Sequence, residues 1–166
     1  NMIINGLNFL SIHFEFEDET FNNVFANYQA KTLGETLVKP KYIKFANHVD
    51  QNYSDQLDLP LGQFLLYLKQ NGDKYYKEFL NLYGDLEYSN FLINDKLMDQ
   101  MGVYAFYCND ELKYIGRCKD SMRMKNRINQ GYGKIYPKNC FKDGQATNCR
   151  VNALITSLDS PVSPYL

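Results

Sequence analysis

Two tyrosines, Tyr104 and Tyr114, stand ten residues apart, each inside a short run of β-forming residues, and two arginines, Arg123 and Arg127, follow four residues apart. A phenol can hold an attacking water or a phosphate oxygen. A guanidinium is planar and permanently charged, which suits the negative charge that builds up when a phosphodiester is attacked. Whether these groups can act together depends on the elements that carry them. Gly102-Val103-Tyr104-Ala105-Phe106-Tyr107-Cys108 and Leu112-Lys113-Tyr114-Ile115-Gly116 predict two strands around a turn at Asn109-Asp110-Glu111. With a three-residue turn Cys108 pairs with Leu112, Phe106 with Tyr114 and Tyr104 with Gly116, which sets Tyr104 and Tyr114 on one face. A two-residue turn would set them on opposite faces.

After the hairpin, Asp120 or Ser121 can cap a helix that continues to Asn129 and ends at Gly131. Met124 and Ile128 form an i, i+4 apolar pair that can pack on the sheet, while Arg123 and Arg127 share a neighbouring face. The segments Gly102-Val103-Tyr104 and Tyr114-Ile115-Gly116, followed by a helix bearing Arg127, resemble the paired motifs of the GIY-YIG nucleases. The resemblance implies a DNA endonuclease: Tyr104 helps to deprotonate the attacking water, Tyr114 positions it, and Arg127 stabilises the phosphorane. That family often has Tyr or His four residues after the arginine. Here that position is Gly131 and Tyr132 comes one later, so Tyr132 is read either as the third catalytic residue or as a loop residue with no catalytic part. Arg117, Arg123, Lys125 and Arg150 are read as contacts to neighbouring phosphates. A turn at Gly144, a Thr147 cap and the apolar face of Val151, Leu154, Ile155 and Leu158 predict one more helix, with Asn148 and Asn152 along its polar side. This Gln-x-Thr-Asn-x-x-x-Asn stretch resembles restriction-type members, so Asn148 and Asn152 are read as DNA contacts.

The resemblance also implies one divalent ion, Mg²⁺ or another, held by a glutamate on a later helix. No glutamate follows Glu111, and beyond Arg127 the only carboxylates are Asp143 and Asp159, with Pro161 and Pro164 ending the last predicted helix. The nuclease module is therefore expected to be incomplete at its C-terminal end or to have lost the ligand. In the second case the chain would be a non-catalytic DNA-binding module, or, as a third reading, a protein-interaction domain whose motifs are structural only.

The remaining sequence has to position this hairpin. Leu10, Ile12, Phe14 and Phe16 alternate with polar residues and predict a strand. Phe21, Val24, Phe25 and Tyr28 predict a helix behind Asp18-Glu19-Thr20. Lys31 to Gln56 reads as loop with one strand at Tyr42 to Phe45. Pro60 can open a helix with Leu61, Phe64, Leu65 and Leu68 on one face, stopped at Asn71-Gly72 before a second with Tyr76, Phe79, Leu80 and Tyr83. The expected fold is α/β (α+β), a small sheet flanked by helices over residues 101–166, preceded by a mixed, helix-rich region over 1–100 that could help choose the DNA site.

With 166 residues and 45% hydrophobic content the chain can bury a core unaided. No apolar run is long enough to span a membrane, and no signal-like start is seen, which places the protein in the cytoplasm. Cys108, Cys118, Cys140 and Cys149 lack zinc spacing and read as reduced and packed. No small-molecule cofactor is expected. The net charge of −1 is uneven. Residues 1–100 hold 8 lysines against 14 acids, and residues 101–166 hold 10 basic residues against 5, including every arginine. That excess has the sign a phosphate polymer requires.

Overall fold

The computed structural model describes residues 2–94, 99–119, 123–158 and 163–165. The fold is mixed α/β. Its contacts gather into two compact units that do not follow a single cut near residue 100: one holds residues 22–86 and 136–149, the other residues 1–21, 87–135 and 150–166. Charge follows the units differently from the halves. The first has nine basic and eight acidic residues, net +1, and the second nine and eleven, net −2. Neither unit carries a strong net positive charge.

The first unit is helical. A 3-10 turn at Val24–Asn27 stands where the sequence suggests a helix. Thr32 caps α1 (Leu33–Leu37), its Oγ1 accepting from the Glu35 N–H at 3.1 Å. A 3-10 turn at Ile43–Phe45 leads into α2 (Ala46–Tyr53), so the expected loop and strand over this stretch are replaced by helix. Elements this short are held by tertiary packing, here the burial of Leu33, Leu37, Phe45 and Val49, and give too few turns for a periodic signal. Behind Pro60, α3 (Leu61–Gln70) forms as expected, with Leu61, Phe64, Leu65 and Leu68 all buried. It stops at Asn71-Gly72, Gly72 taking φ +74. The second helix of the expected hairpin is a 3-10 turn, Lys74–Phe79, although Tyr76, Phe79 and Leu80 are buried. Tyr42 stacks on Phe79 and bonds the Asp143 carboxylate at 2.5 Å.

The second unit carries the sheets. Strands β1 (Met2–Ile4) and β2 (Leu7–Phe9) form a hairpin about Asn5 and Gly6, both at positive φ. The strand expected from Leu10 begins only at Glu15. It is β3 (Glu15–Phe21), and it absorbs the acidic run expected to open a helix. It pairs antiparallel with β4 (Tyr88–Leu92), a partner some seventy residues away whose pull on β3 no local pattern announces. Glu17, Asp18 and Glu19 bulge out opposite Asn90, between the pairs Phe16–Phe91 and Thr20–Ser89.

A three-stranded antiparallel sheet has β5 (Gly102–Cys108) between β6 (Glu111–Cys118) and β7 (Ser163–Tyr165). Pro164, expected to follow a helix end, lies within β7 opposite Phe106. Pro161 and the proposed caps Asp120 and Ser121 lie outside the described residues. Helix α4 (Met124–Arg127) follows β6 and runs on as a π turn over Ile128–Tyr132. Helix α5 (Ala146–Thr156) contributes its residues from Arg150 onward to this unit, and Thr147 sits in its first turn instead of capping it. One core joins these elements through Phe91, Phe106, Met124, Ile128, Val151 and Ile155. All four cysteines are buried. Among the described residues no helix is long and apolar enough to cross a membrane.

Candidate active site

The hairpin that carries the tyrosines reaches the useful register by a route the sequence did not reveal. Its turn has two residues: Asn109 and Asp110 take φ of +51 and +62, and Cys108 pairs with Glu111 in place of Leu112. On its own this would turn Tyr114 to the far face. Lys113 is an extra residue between the pairs Tyr107–Leu112 and Phe106–Tyr114, and this one-residue bulge restores the alternation. Phe106 thus faces Tyr114 and Tyr104 faces Gly116, with both phenols on the core side. Gly116 is required there. A Cβ at this position would stand 2.5 Å from the Tyr104 hydroxyl oxygen and closer still to its ring.

Tyr132 completes the cluster. An α-helical turn would return residue 131 to the face of Arg127, but the segment is wound as a π turn, closed by the Gly133 N–H on the Ile128 carbonyl at 2.6 Å. The i→i+5 winding absorbs the additional residue and brings Tyr132 in its place. Its hydroxyl lies 2.8 Å from that of Tyr104 and 3.0 Å from that of Tyr114, so Tyr132 belongs to the helical turn and joins the two motif tyrosines instead of lying in a loop. The guanidinium of Arg127 stands over the Tyr132 ring, 5.6 Å from its centroid, close enough for the hydroxyls of Tyr104 and Tyr132 to act on its charge. Its Nε is buried with no partner among the described residues. Arg150 on α5 approaches from the other side, 5.9 Å above the Tyr114 ring.

Polar side chains behind the cluster lock it. Asn152 is fully buried: its amide N–H donates to the Tyr132 carbonyl at 2.6 Å and the Ser89 carbonyl at 2.8 Å, and its oxygen accepts from the Ser89 N–H at 3.1 Å. It therefore has no group left for DNA, and the contact read from the sequence is replaced by a clamp on the π turn. Asn129 acts likewise on Ile93, donating to its carbonyl at 3.0 Å and accepting from its N–H at 2.8 Å. Neither role was legible, because a buried asparagine and a solvated one look alike in sequence.

Burial pushes the phenols of Tyr104 and Tyr132 up. Burial and then the bond to Tyr132 push Tyr114 to about 12, with Arg127 and Arg150 pulling the other way. For Arg127, burial is opposed and outweighed by the surrounding phenols, which hold it above its ordinary value. The site at neutral pH is thus three neutral phenols and two cations. Tyr104 and Tyr132 are closed to solvent at 1% and 0% exposure, while Tyr114 and Arg127 are partly open.

The other expected contacts are dispersed. Arg123 is the N-cap residue of α4, its carbonyl accepting from the Arg127 N–H at 3.0 Å, and its side chain makes an exposed ion pair with Asp99 at 3.8 Å. Arg117 pairs with Val103 and projects from the opposite face of the hairpin. Lys125 is half-buried on α4, and half-buried Asn148 belongs to the other unit. A magnesium ion takes hard oxygen ligands, usually carboxylates. Each charged group acting on the three phenols is another tyrosine or an arginine, and no group of three Asp, Glu, His or Cys comes together among the described residues. Asp143 is engaged with Tyr42 and Lys138 in the other unit, and Asp159 lies outside the described residues. Among the described residues the donors of this cluster are phenols and guanidiniums, and no carboxylate is found beside them. Compared with known proteins, the chain matches no family model, no curated protein and no solved structure.

Proposed function

We propose that the chain is a GIY-YIG-type module that holds a DNA phosphodiester at the Tyr104–Tyr114–Tyr132–Arg127 cluster and hydrolyses it. The observation that carries this reading is the convergence of three hydrogen-bonded hydroxyls, from a hairpin and a helix, with a guanidinium over the ring of the third. Tyr114 and Arg127, at the open edge, meet the phosphate. Arg127 stabilises the charge that develops on its oxygens. The phenols stay protonated at neutral pH, so Tyr114 orients the attacking water through its oxygen without bearing a negative charge; as the new P–O bond forms, that water's proton passes to bulk solvent at the open edge, and the leaving oxygen takes a proton from the same source as its bond to phosphorus breaks. Tyr104 and Tyr132, behind it, fix that hydroxyl and the guanidinium. Tyr104 thus acts as a positioning residue.

Plasmid nicking by the full chain with and without Mg²⁺ is the direct test. Arg127→Ala is expected to lower the rate on the order of 10²–10³-fold while DNA affinity falls only modestly, because other basic residues still hold the backbone. An active wild type whose Arg127→Ala variant cuts at a normal rate would remove the role assigned to it. The second reading, a DNA-binding module without catalysis, is favoured by the donor set, which offers no carboxylate beside the phenols among the described residues. DNA binding without nicking at any divalent ion supports it.

A further inference from the structure

Two cations flank one pair of phenols. Arg127 stands over Tyr132 and Arg150 over Tyr114, and the two rings are 5.6 Å apart between centroids, with their hydroxyls bonded at 3.0 Å. Arg127 comes from α4 and Arg150 from α5, so tertiary packing, not a run of basic sequence, brings them to one place. Among the described residues neither makes an ion pair, whereas Arg123 has Asp99. Two guanidinium groups held near one another without an acid repel, and an anion between them would remove that repulsion.

We infer that Arg150 joins Arg127 in a two-guanidinium site that binds the non-bridging oxygens of a phosphate group without a divalent cation. The inference rests on the phosphodiester reading above and extends it to the manner in which the phosphate is held. An independent sign is the Nε–H of Arg127, buried without a partner. Buried donors in native proteins are nearly always satisfied, so this unpaired N–H leaves its positive potential uncancelled and adds to the pull of the guanidinium's outer nitrogens on an anion. The planar forks of two guanidiniums match the tetrahedral face of a phosphate, as a single ammonium does not. The neutral phenols between them add hydrogen-bonding dipoles without a negative charge to oppose the anion. A carboxylate set would do the reverse, drawing a cation and repelling phosphate.

Inorganic phosphate is the probe, titrated into the full chain in the presence of EDTA and followed by heat of binding, for wild type, Arg150→Ala, Arg150→Lys and Arg117→Ala. Arg150 is exposed, so its replacement leaves the core intact, and matching thermal midpoints verify this. Binding without metal is expected. Arg150→Ala should weaken it on the order of 10-fold and Arg150→Lys by less, since charge is kept and the fork lost. Arg117→Ala, on the opposite face of the hairpin, should match wild type. The inference is overturned if phosphate fails to bind in EDTA, if it binds only with Mg²⁺, or if Arg150→Ala binds as wild type does. Failure of the nuclease reading is seen separately, in plasmid cleavage. Arg150-dependent phosphate binding without cleavage keeps this inference and removes that reading; cleavage by a protein whose phosphate binding ignores Arg150 does the opposite.

Discussion

The Tyr132 hydroxyl is the only group that touches both of the other phenols through hydrogen bonds of 2.8 and 3.0 Å among the described residues. Tyr132→Phe keeps the ring in the core and removes one oxygen, which leaves the Tyr104 hydroxyl buried with a weaker set of partners. The expected cost is about 1–3 kcal/mol in urea unfolding, together with a loss of nicking. A variant as stable as wild type would mean that the three hydroxyls are not a connected unit. Asn152→Ala tests the clamp behind them. It strands the Ser89 N–H and the carbonyls of Ser89 and Tyr132, for an expected loss of about 2–4 kcal/mol, while the salt dependence of DNA binding stays as in wild type because no phosphate contact is removed. A shallower salt slope with unchanged stability would return Asn152 to the DNA surface. Tyr104, Tyr114 and Arg127 were legible as a candidate cluster from the strand–turn–strand–helix pattern and the resemblance to the paired motifs. Asn152 and Asn129 were not, since their work depends on burial.

At the scale of elements, two single-residue irregularities set the geometry, and both escaped a reading by spacing. The bulge at Lys113 offsets a turn one residue shorter than expected, and the π winding over Ile128–Tyr132 offsets a helix one residue longer. Deleting Lys113 should leave the Asn109–Asp110 turn intact and rotate Tyr114 to the outer face, abolishing nicking. Lys113→Ala, which keeps the extra residue, should retain activity. If the deletion variant nicks DNA normally, the register does not govern the site. Helix α3 was readable because ten residues give a full apolar stripe, with Pro60 and Gly72 marking its ends. Helices α1 and α2 were not, being one or two turns long and stabilised by neighbours distant in sequence. Strand β3 was misread for a related reason: its acidic run suits a helix start locally, and only the distant β4 makes it extended.

Across the whole molecule, buried phenols recur in both units. Tyr53, Tyr76 and Tyr114 are each pushed up to about 12, burial being the largest cause in all three, followed by bonds to Asp73, Asp85 and Tyr132 respectively. A phenol whose folded value lies above its unfolded value of about 10 contributes stability that is complete below that pH and is lost as pH rises through the folded value. The protein should therefore hold its stability to about pH 10 and lose it steeply by about pH 12. Phenolate absorbance and circular dichroism should change together. Smooth ionisation of all fourteen tyrosines before any loss of secondary structure would contradict the raised values of these three phenols.

The division into compact units also bears on how the protein is made. The unit that holds the site draws on residues 1–21, 87–135 and 150–166, and so cannot close before the last of these has been synthesised. All three phenols and Arg127 have left the ribosome well before Asn152, which pins the π turn, and before Arg150. A nascent chain arrested between them would carry the motif in full and yet lack the residues that hold its third phenol in place and supply its second cation.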